Sequence, residues 1–374
     1  MQFELDDKTL EARKRAREFA LREFGSELAE VCDRTEKYPE EIRRRAFEAG
    51  FLDLQNPWAM LVTMEEFCRV DPGLGLSALV PAFGSEVLML YGSEEQKRKY
   101  LEPVMQGKKI SAFAVTDPGA GSDVAGIGAT LTPAEGGYLL NGQKVFITNG
   151  AIANHYYLLA RSSPPPSQEK RHRGLSLVIV DADSPGFTAV QMKGKMGMRA
   201  SNTAELSFHD VFIPKANLIG EEGKGFYYVM TFFNISRIYV AAQATGIAQG
   251  ALDRLLTYVH SLKESGNEAS GSENTQFLIS EIATRVEAAR MLTYRAASRL
   301  FSFNPDPVIT SMSKYFAAET AALCTARVLE FMGYDGVNSD MERLYRDAKI
   351  MEIWEGSNEV EKLVISRMME ADRK

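Results

Sequence analysis

The chain has 374 residues, 45% hydrophobic and 25% charged, with a formal net charge of −7. That length supports two or three layers of structure around a large core. Acids and bases are mixed along it with no basic excess, which argues against nucleic acid as the main partner, and no apolar run is long enough to span a bilayer.

The N-terminus, "MQFELDDKTLEARKRAREFA", reads as a charged amphipathic helix from the outset. It has no apolar signal region and is too acidic for a transit peptide, so a cytoplasmic location is expected. Residues 8–107 read mostly as helix, with Leu10, Ala16, Phe19, Ala20 and Phe24 recurring near a 3.6 period. Pro39 starts a helix that Gly50 ends. "SEEQKRKYLEPV" opens with a capping box between Ser93 and Gln96.

Near residue 110 the pattern changes. "ISAFAVT", "GYLLNGQKVFIT", "HYYLLARS", "LSLVIVDA", "FTAVQM" and "AELSFHDVFI" are short β-rich segments separated by Gly, Pro, Asn and Asp. Most approximate alternation, which predicts antiparallel pairing into a small barrel or sandwich. "RSSPPPSQEKRHRG" is a polar, proline-rich loop between two of them. Helix returns from about residue 223. Two long segments with apolar faces flank the exposed stretch "KESGNEASGSENTQ", and "FNPDP" breaks the chain before an alanine-rich helix. The fold class is therefore α+β and multi-domain: a helical domain over 1–109, an antiparallel β-barrel or sandwich over 110–222, and a helical domain over 223–374.

Several residues carry chemical interest. Cys32, Cys68 and Cys324 lie far apart, as do the four histidines, so neither a disulfide framework nor a metal ligand set is expected. In "FAVTDPGAGSDVAG", Gly119, Gly121 and Gly126 let the backbone bend closely around a ligand, and Thr116 and Ser122 offer hydroxyls; a plain glycine-rich turn is the alternative. Arg237 opens an apolar helix, either as an anion contact or as the partner of an acid. "KIMEIWEGSNEV" sets Glu355 between a tryptophan and a glycine, at a joint where one helix should end at Gly356 and another begin near Asn358. A carboxylate in such a partly dry turn has its pKa moved and can serve as a base.

"FAVTDPGAGSD", "GYLLNGQKVFITNG", "KMGMRASNTAELSFHDVFIPKANLIGEEGKGF" and "RLYRDAKIMEIWEGSNEVEKLVISR", in this order along nearly the whole chain, resemble the acyl-CoA dehydrogenase family. The resemblance implies a helical N-terminal domain, a β middle domain and a C-terminal four-helix bundle, usually in a tetramer whose FAD is held partly by a neighbouring subunit. It implies that Glu355 removes the pro-R α-proton of an acyl-CoA thioester while the β-hydrogen leaves as hydride to flavin N5, giving a trans-2-enoyl-CoA. The thioester carbonyl would accept from the Glu355 N–H. By motif position, Phe113, Val115, Thr116, Gly121 and Ser122 should line FAD, Phe146 and Thr148 should meet its ring, and Ser357 and Glu359 its nucleotide. Ser122, Asn234, Arg237 and Gly356 should contact the acyl-CoA. The electron acceptor would be an electron-transfer flavoprotein.

Departures from the family pattern are also visible. Phe146 stands where most members have tryptophan, and Asn234 where aspartate is usual. Leu262 and Ser265 replace an arginine and a phenylalanine, and Glu330 and Tyr334 replace a glutamine and a glycine, at positions offered to a neighbour's FAD. Losing a cation and gaining an acid there weakens contact with a pyrophosphate. "FLDLQNPWAM" is shorter than the link that borders the acyl cavity in relatives, so the acyl group is not specified. Two further readings follow: a subunit of a heteromeric dehydrogenase whose partner chain completes the FAD site, in a heterotetramer rather than a homotetramer, or a non-catalytic binding partner.

Overall fold

The structure, a computed structural model, describes residues 5–302 and 304–371. The first four residues of the expected N-terminal helix and Phe303 of the "FNPDP" break lie outside them. Helix α1 (Asp7–Glu23) starts where the Asp6 carboxylate accepts from the Thr9 N–H at 2.7 Å. There follow α2 (Ser26–Thr35), α3 (Glu40–Glu48), α4 (Pro57–Val70), α5 (Pro72–Leu79) and α6 (Ser85–Tyr91). The expected capping box is formed: Ser93 N–H donates to Gln96 Oε1 at 3.0 Å and Gln96 N–H to Ser93 Oγ at 3.2 Å. It opens α7 (Glu94–Gln96), which runs through a π-turn into α8 (Glu102–Met105).

The eight strands are β1 (Ser111–Ala114), β2 (Thr130–Ala134), β3 (Gly137–Thr148), β4 (His155–Arg161), β5 (Leu175–Asp181), β6 (Phe187–Gln191), β7 (Thr203–Pro214) and β8 (Leu218–Ile219). They form one sheet in the order β6-β7-β3-β2-β4-β5-β8, with β1 against β4. Most neighbours are antiparallel, as the alternation predicts. The β1–β4 pair is parallel, and β2 meets β4 in parallel at Thr130 and Arg161. A parallel neighbour needs a long crossover. The glycine-rich loop and the β2–β3 hairpin, which lie between β1 and β4 in sequence, supply it.

Strand β4 is buried on both faces. Tyr156, Leu158 and Ala160 point into the core between strands, whereas Tyr157 and Leu159 join Phe113, Val115, Val87, Val229 and Phe232 in a second apolar cluster. That second cluster fastens the sheet to α6 and to the long helix α9 (Gly225–Glu264). The chain continues with α10 (Glu273–Phe301), α11 (Pro307–Met332), α12 (Tyr334–Val337), α13 (Met341–Ala348) and α14 (Asn358–Ala371). Helices α9, α10 and α11 pack on one another, α14 lies along α11, and α4 packs across α9. The α4–α9 approach is close: a methyl group on Gly246 would run into the Glu65 carbonyl, and one on Gly250 into that of Arg69.

No helix among the described residues is long and apolar enough to cross a membrane, and no group of three or more metal-ligating side chains gathers among them. All three cysteines are free and buried.

The glycine-rich loop after β1 is held from beneath. Lys144, buried in β3, donates to the Val115 carbonyl at 2.7 Å and to the Asp117 carboxylate. Asp117 in turn accepts from the Ala129 N–H at 2.9 Å and from Gly128. Burial pushes the Lys144 ammonium down to about 8, against the pull of Asp117. Replacing Lys144 by methionine strands a buried carboxylate. Lys144→Met should lower unfolding stability by about 3–5 kcal/mol, read as a lower urea midpoint, and adding Asp117→Leu should restore much of it.

Candidate active site

Helix α13 ends at Ala348, earlier than the joint at Gly356 expected from the sequence. A tight 3₁₀ turn over Lys349–Glu352 follows, and the Ile353 and Trp354 N–H groups both reach back to the Ile350 carbonyl, at 3.0 and 3.1 Å. The chain then opens into a left-handed turn, with φ 53° at Glu355 and 103° at Gly356. Glycine takes this region freely. A glutamate there is strained by roughly 1–3 kcal/mol and persists only where its surroundings hold it.

They do so through the backbone. Arg237 Nε donates to the Glu355 carbonyl at 3.0 Å, and Lys314 Nζ to the Gly356 carbonyl at 2.6 Å. Both cations are buried, and Arg237 also pairs with buried Glu361 at 3.0 Å. Ser357 Oγ caps α14, accepting from Val360 N–H at 3.5 Å. No described group accepts from the Glu355 N–H.

The Glu355 side chain is surrounded by protein yet keeps some accessible surface. Its Oε2 accepts from the Ser236 hydroxyl. Burial raises its pKa. Ser236, Arg237 and Lys314 oppose that rise by favouring the carboxylate. Burial also pushes Lys314 down to about 8, with Glu361 opposing. Ser236, Lys314 and Glu361 did not stand out as site residues in the sequence. The nearest signal was the adjacency of Ser236 to Arg237; Lys314 sits in an unremarkable apolar helix.

Along the neighbouring sheet edge the other candidates fall into two groups. Phe113 and Val115 are buried in the apolar cluster behind the glycine-rich loop, Phe113 packing on Phe232 with ring centroids 4.3 Å apart. Thr116 is half-buried, whereas Gly121 and Ser122 are exposed. Phe146 sits at a register shift between β3 and β7, with φ 59°, and its ring is 65% exposed. A strained bulge that turns a large aromatic outward, beside half-buried Thr148 and an open glycine turn, fits a planar aromatic ligand. On the helical side, Asn234 and Gly356 are half-buried and Glu359 is exposed. Arg237 faces inward, so the acid-pairing alternative is the contact seen.

Comparison with known proteins bears on this arrangement. Residues 6–108, 112–211 and 223–370 match the acyl-CoA dehydrogenase N-terminal, middle and C-terminal domains. An acyl-CoA dehydrogenase of Bacillus subtilis (strain 168) is 35% identical over 373 residues, covering 96% of both chains. The CarC subunit of the caffeyl-CoA reductase–Etf complex of Acetobacterium woodii is 34% identical, over 96% of this chain and 97% of its own. The solved butyryl-CoA dehydrogenase of Megasphaera elsdenii superposes with a TM-score of 0.91 at 31% identity, covering 99% of this chain and 100% of its own. The chain belongs to the acyl-CoA dehydrogenase family.

Four of the departures from the family pattern, Leu262, Ser265, Glu330 and Tyr334, lie toward the end of α9 and around α12. Tyr258 of α9 donates to Asp335 at 2.8 Å and packs on Phe331, which brings the end of α9 beside α12. Ser265 and Glu330 are exposed there, Leu262 is half-buried, and Tyr334 is 81% exposed.

The turn at Glu355 depends on Arg237. Arg237→Met should leave Glu361 a buried acid without its main cation and free the Glu355 carbonyl. Stability should fall by about 3–5 kcal/mol, and amide hydrogen exchange at 353–358 should accelerate. Unchanged exchange there would show that the turn is held by other means.

Proposed function

We propose that this chain is an FAD-dependent acyl-CoA dehydrogenase in which Glu355 is the base. The observation that carries the reading is the Glu355 carboxyl: strained backbone, desolvated side chain, one hydroxyl partner, and accessible surface left on the cleft. An acyl-CoA α-C–H is a weak acid, so its removal needs a base of raised pKa and a carbonyl whose developing negative charge is met by donors. Glu355 takes the α-proton, and its own N–H, left without an acceptor, is the donor for the thioester oxygen. Ser236 and the two cations keep the carboxylate ionised enough to act and pointed into the cleft. FAD, when bound, takes up the hydride that leaves the β-carbon, so that the product is a 2-enoyl-CoA.

Thr116, Gly121, Ser122, Phe146 and Thr148 would hold FAD on the sheet side, with Phe113 and Val115 backing the wall. Ser357 and Glu359 would meet its nucleotide. Asn234 and Gly356 would lie along the thioester and pantetheine, joined by Ser122. Arg237 then serves the substrate indirectly, by fixing the turn that carries the base. The likeness to a subunit of an Etf complex supports an electron-transfer flavoprotein as redox partner. A heteromeric assembly has a specific observation in its favour, since Leu262 and Glu330 supply no cation on the face that relatives offer to a neighbour's cofactor. Light scattering and the visible spectrum of the chain purified alone separate the two: a yellow homotetramer excludes the heteromer, and a colourless chain that gains FAD only with a second polypeptide establishes it.

Glu355→Gln should retain FAD and bind acyl-CoA but lose on the order of 10²–10⁴-fold or more in turnover. Retained dehydrogenation would place the base elsewhere. The pH profile carries a second expectation. The base acts ionised and its pKa is raised by burial, so kcat/KM should fall as pH drops through a value above that of an ordinary glutamate. Ser236→Ala removes a hydrogen bond to the charged form, and this acidic limb should move to still higher pH.

A further inference from the structure

A second acid lies near enough to Glu355 to feel its charge. Glu86 stands in the first turn of α6, in "FGSEVLML", hemmed by apolar residues as Glu355 is. Its placement follows from α9. Phe83, three residues earlier, packs on Phe232 with centroids 5.4 Å apart. One turn further along α9, Ser236 holds the Glu355 carboxyl, and Tyr239 follows at i+3 on that face. Glu86 therefore starts α6 beside the stripe of α9 that holds Glu355.

Its carboxyl is poorly matched. Oε2 is enclosed without a hydrogen-bond partner, while the residue as a whole keeps accessible surface. No described lysine or arginine forms an ion pair with it; the buried cations nearby, Arg237 and Lys314, are engaged at the Glu355 turn. Burial, then the charge of Glu355, push its pKa up to about 7, with the Gly84 and Glu86 amides opposing. The ionisable groups that sense Glu86 are Tyr157 of β4 and Tyr239 of α9. The Tyr157 hydroxyl is already engaged with His155 at 3.1 Å and Ser85 at 3.5 Å. The Tyr239 hydroxyl has no described hydrogen bond and is not enclosed without one.

We propose that Glu86 and Tyr239 determine acyl specificity, and that the preferred thioester carries a hydroxyl group on its acyl chain beyond the β-carbon. A hydroxyl donates to the Glu86 carboxyl and accepts from Tyr239, completing both. An ammonium could complete only the first, and it would add a third cation beside Arg237 and Lys314. A plain hydrocarbon chain completes neither and leaves a desolvated acid without a partner, which is the arrangement by which sites reject analogues lacking a polar group. The inference rests on the acyl-thioester reading and names the substrate class of that cavity.

The test uses the flavin-loaded protein carrying Glu355→Gln, so that binding is read without turnover. Calorimetry compares butyryl-CoA with 4-hydroxybutyryl-CoA, and valeryl-CoA with 5-hydroxyvaleryl-CoA. The hydroxylated member of at least one pair should bind about tenfold or more tightly. Added Glu86→Leu should abolish that preference, Tyr239→Phe should reduce it, and Glu86→Gln, which keeps an acceptor of the same shape, should retain most of it. Equal binding within both pairs, or a preference that survives Glu86→Leu, overturns the proposal while leaving the thioester reading intact. Failure of all four thioesters to bind overturns that reading, and this proposal with it.

Discussion

The arrangement depends on a left-handed turn that a glutamate would not adopt by itself. Two buried cations make it stable, and each donates to a backbone carbonyl of the turn. Arg237 reaches the carbonyl of Glu355, and Lys314 reaches that of Gly356. Because both partners are main-chain oxygens, the carboxyl remains free to face the cleft, with only the Ser236 hydroxyl on it. Were either cation to pair directly with that carboxyl, its pKa would fall and its basicity with it. Glu361 takes up one of the two positive charges, so that the turn is held without being overcharged.

Such a turn needs a rigid frame, and α9 is the beam that provides it. It carries Ser236 and Arg237 at one end of its buried run and the glycines that admit α4 further along. Helix α4 is tied on both sides by buried charge. Glu65 accepts from Arg13 of α1 at 2.7 Å, from Arg290 of α10 at 2.9 Å and from Tyr294 at 2.7 Å, and Glu66 pairs with Arg13 at 2.7 Å. Pairs of this kind add little net stability over apolar packing, but removing one partner is costly. These pairs join α4 to α1 and α10, and Arg69 joins it to Asp253 of α9 at 2.5 Å. On the sheet side, the glycine-rich loop is fixed by the Lys144–Asp117 clamp.

Most of this frame was legible as pattern. Strand β3 falls where "GYLLNGQKVFIT" was read, and the reciprocal bonds of Ser93 and Gln96 form as their spacing predicts. Strands β2 and β8 were not legible. "TLTPA" contains a proline and has one buried side chain, and Leu218–Ile219 is two residues long, so neither shows a period. The parallel β1–β4 pairing was hidden because alternation reports which face a residue occupies and says nothing of strand direction. The end of α13 was misplaced for a related reason: amphipathic spacing continues through "KIMEIWEG" although the hydrogen bonds tighten to 3₁₀ after Ala348. Glu355 was found because an acid between bulky apolar residues is conspicuous. Lys314 and Ser236 were not, since the partners that matter here are distant in sequence and one of them, the Gly356 carbonyl, is a backbone atom.

The same contrast separates structural acids from chemical ones in this molecule. Glu65, Glu66 and Glu361 are buried with arginines directly on their carboxylates, and their work ends at holding helices together. Asp347, pushed up to about 7 by burial and by Asp71, is spent on the Met198 N–H and anchors the loop after β6 to α13. Glu355 and Glu86 have no arginine or lysine on the carboxylate among the described ion pairs: one has a single hydroxyl, the other no described side-chain partner. Desolvating a carboxyl without matching it is unfavourable for folding. Both residues keep accessible surface, so a group from outside the protein can reach them. On the reading proposed above, the α-proton completes Glu355 and a donor on the acyl chain completes Glu86.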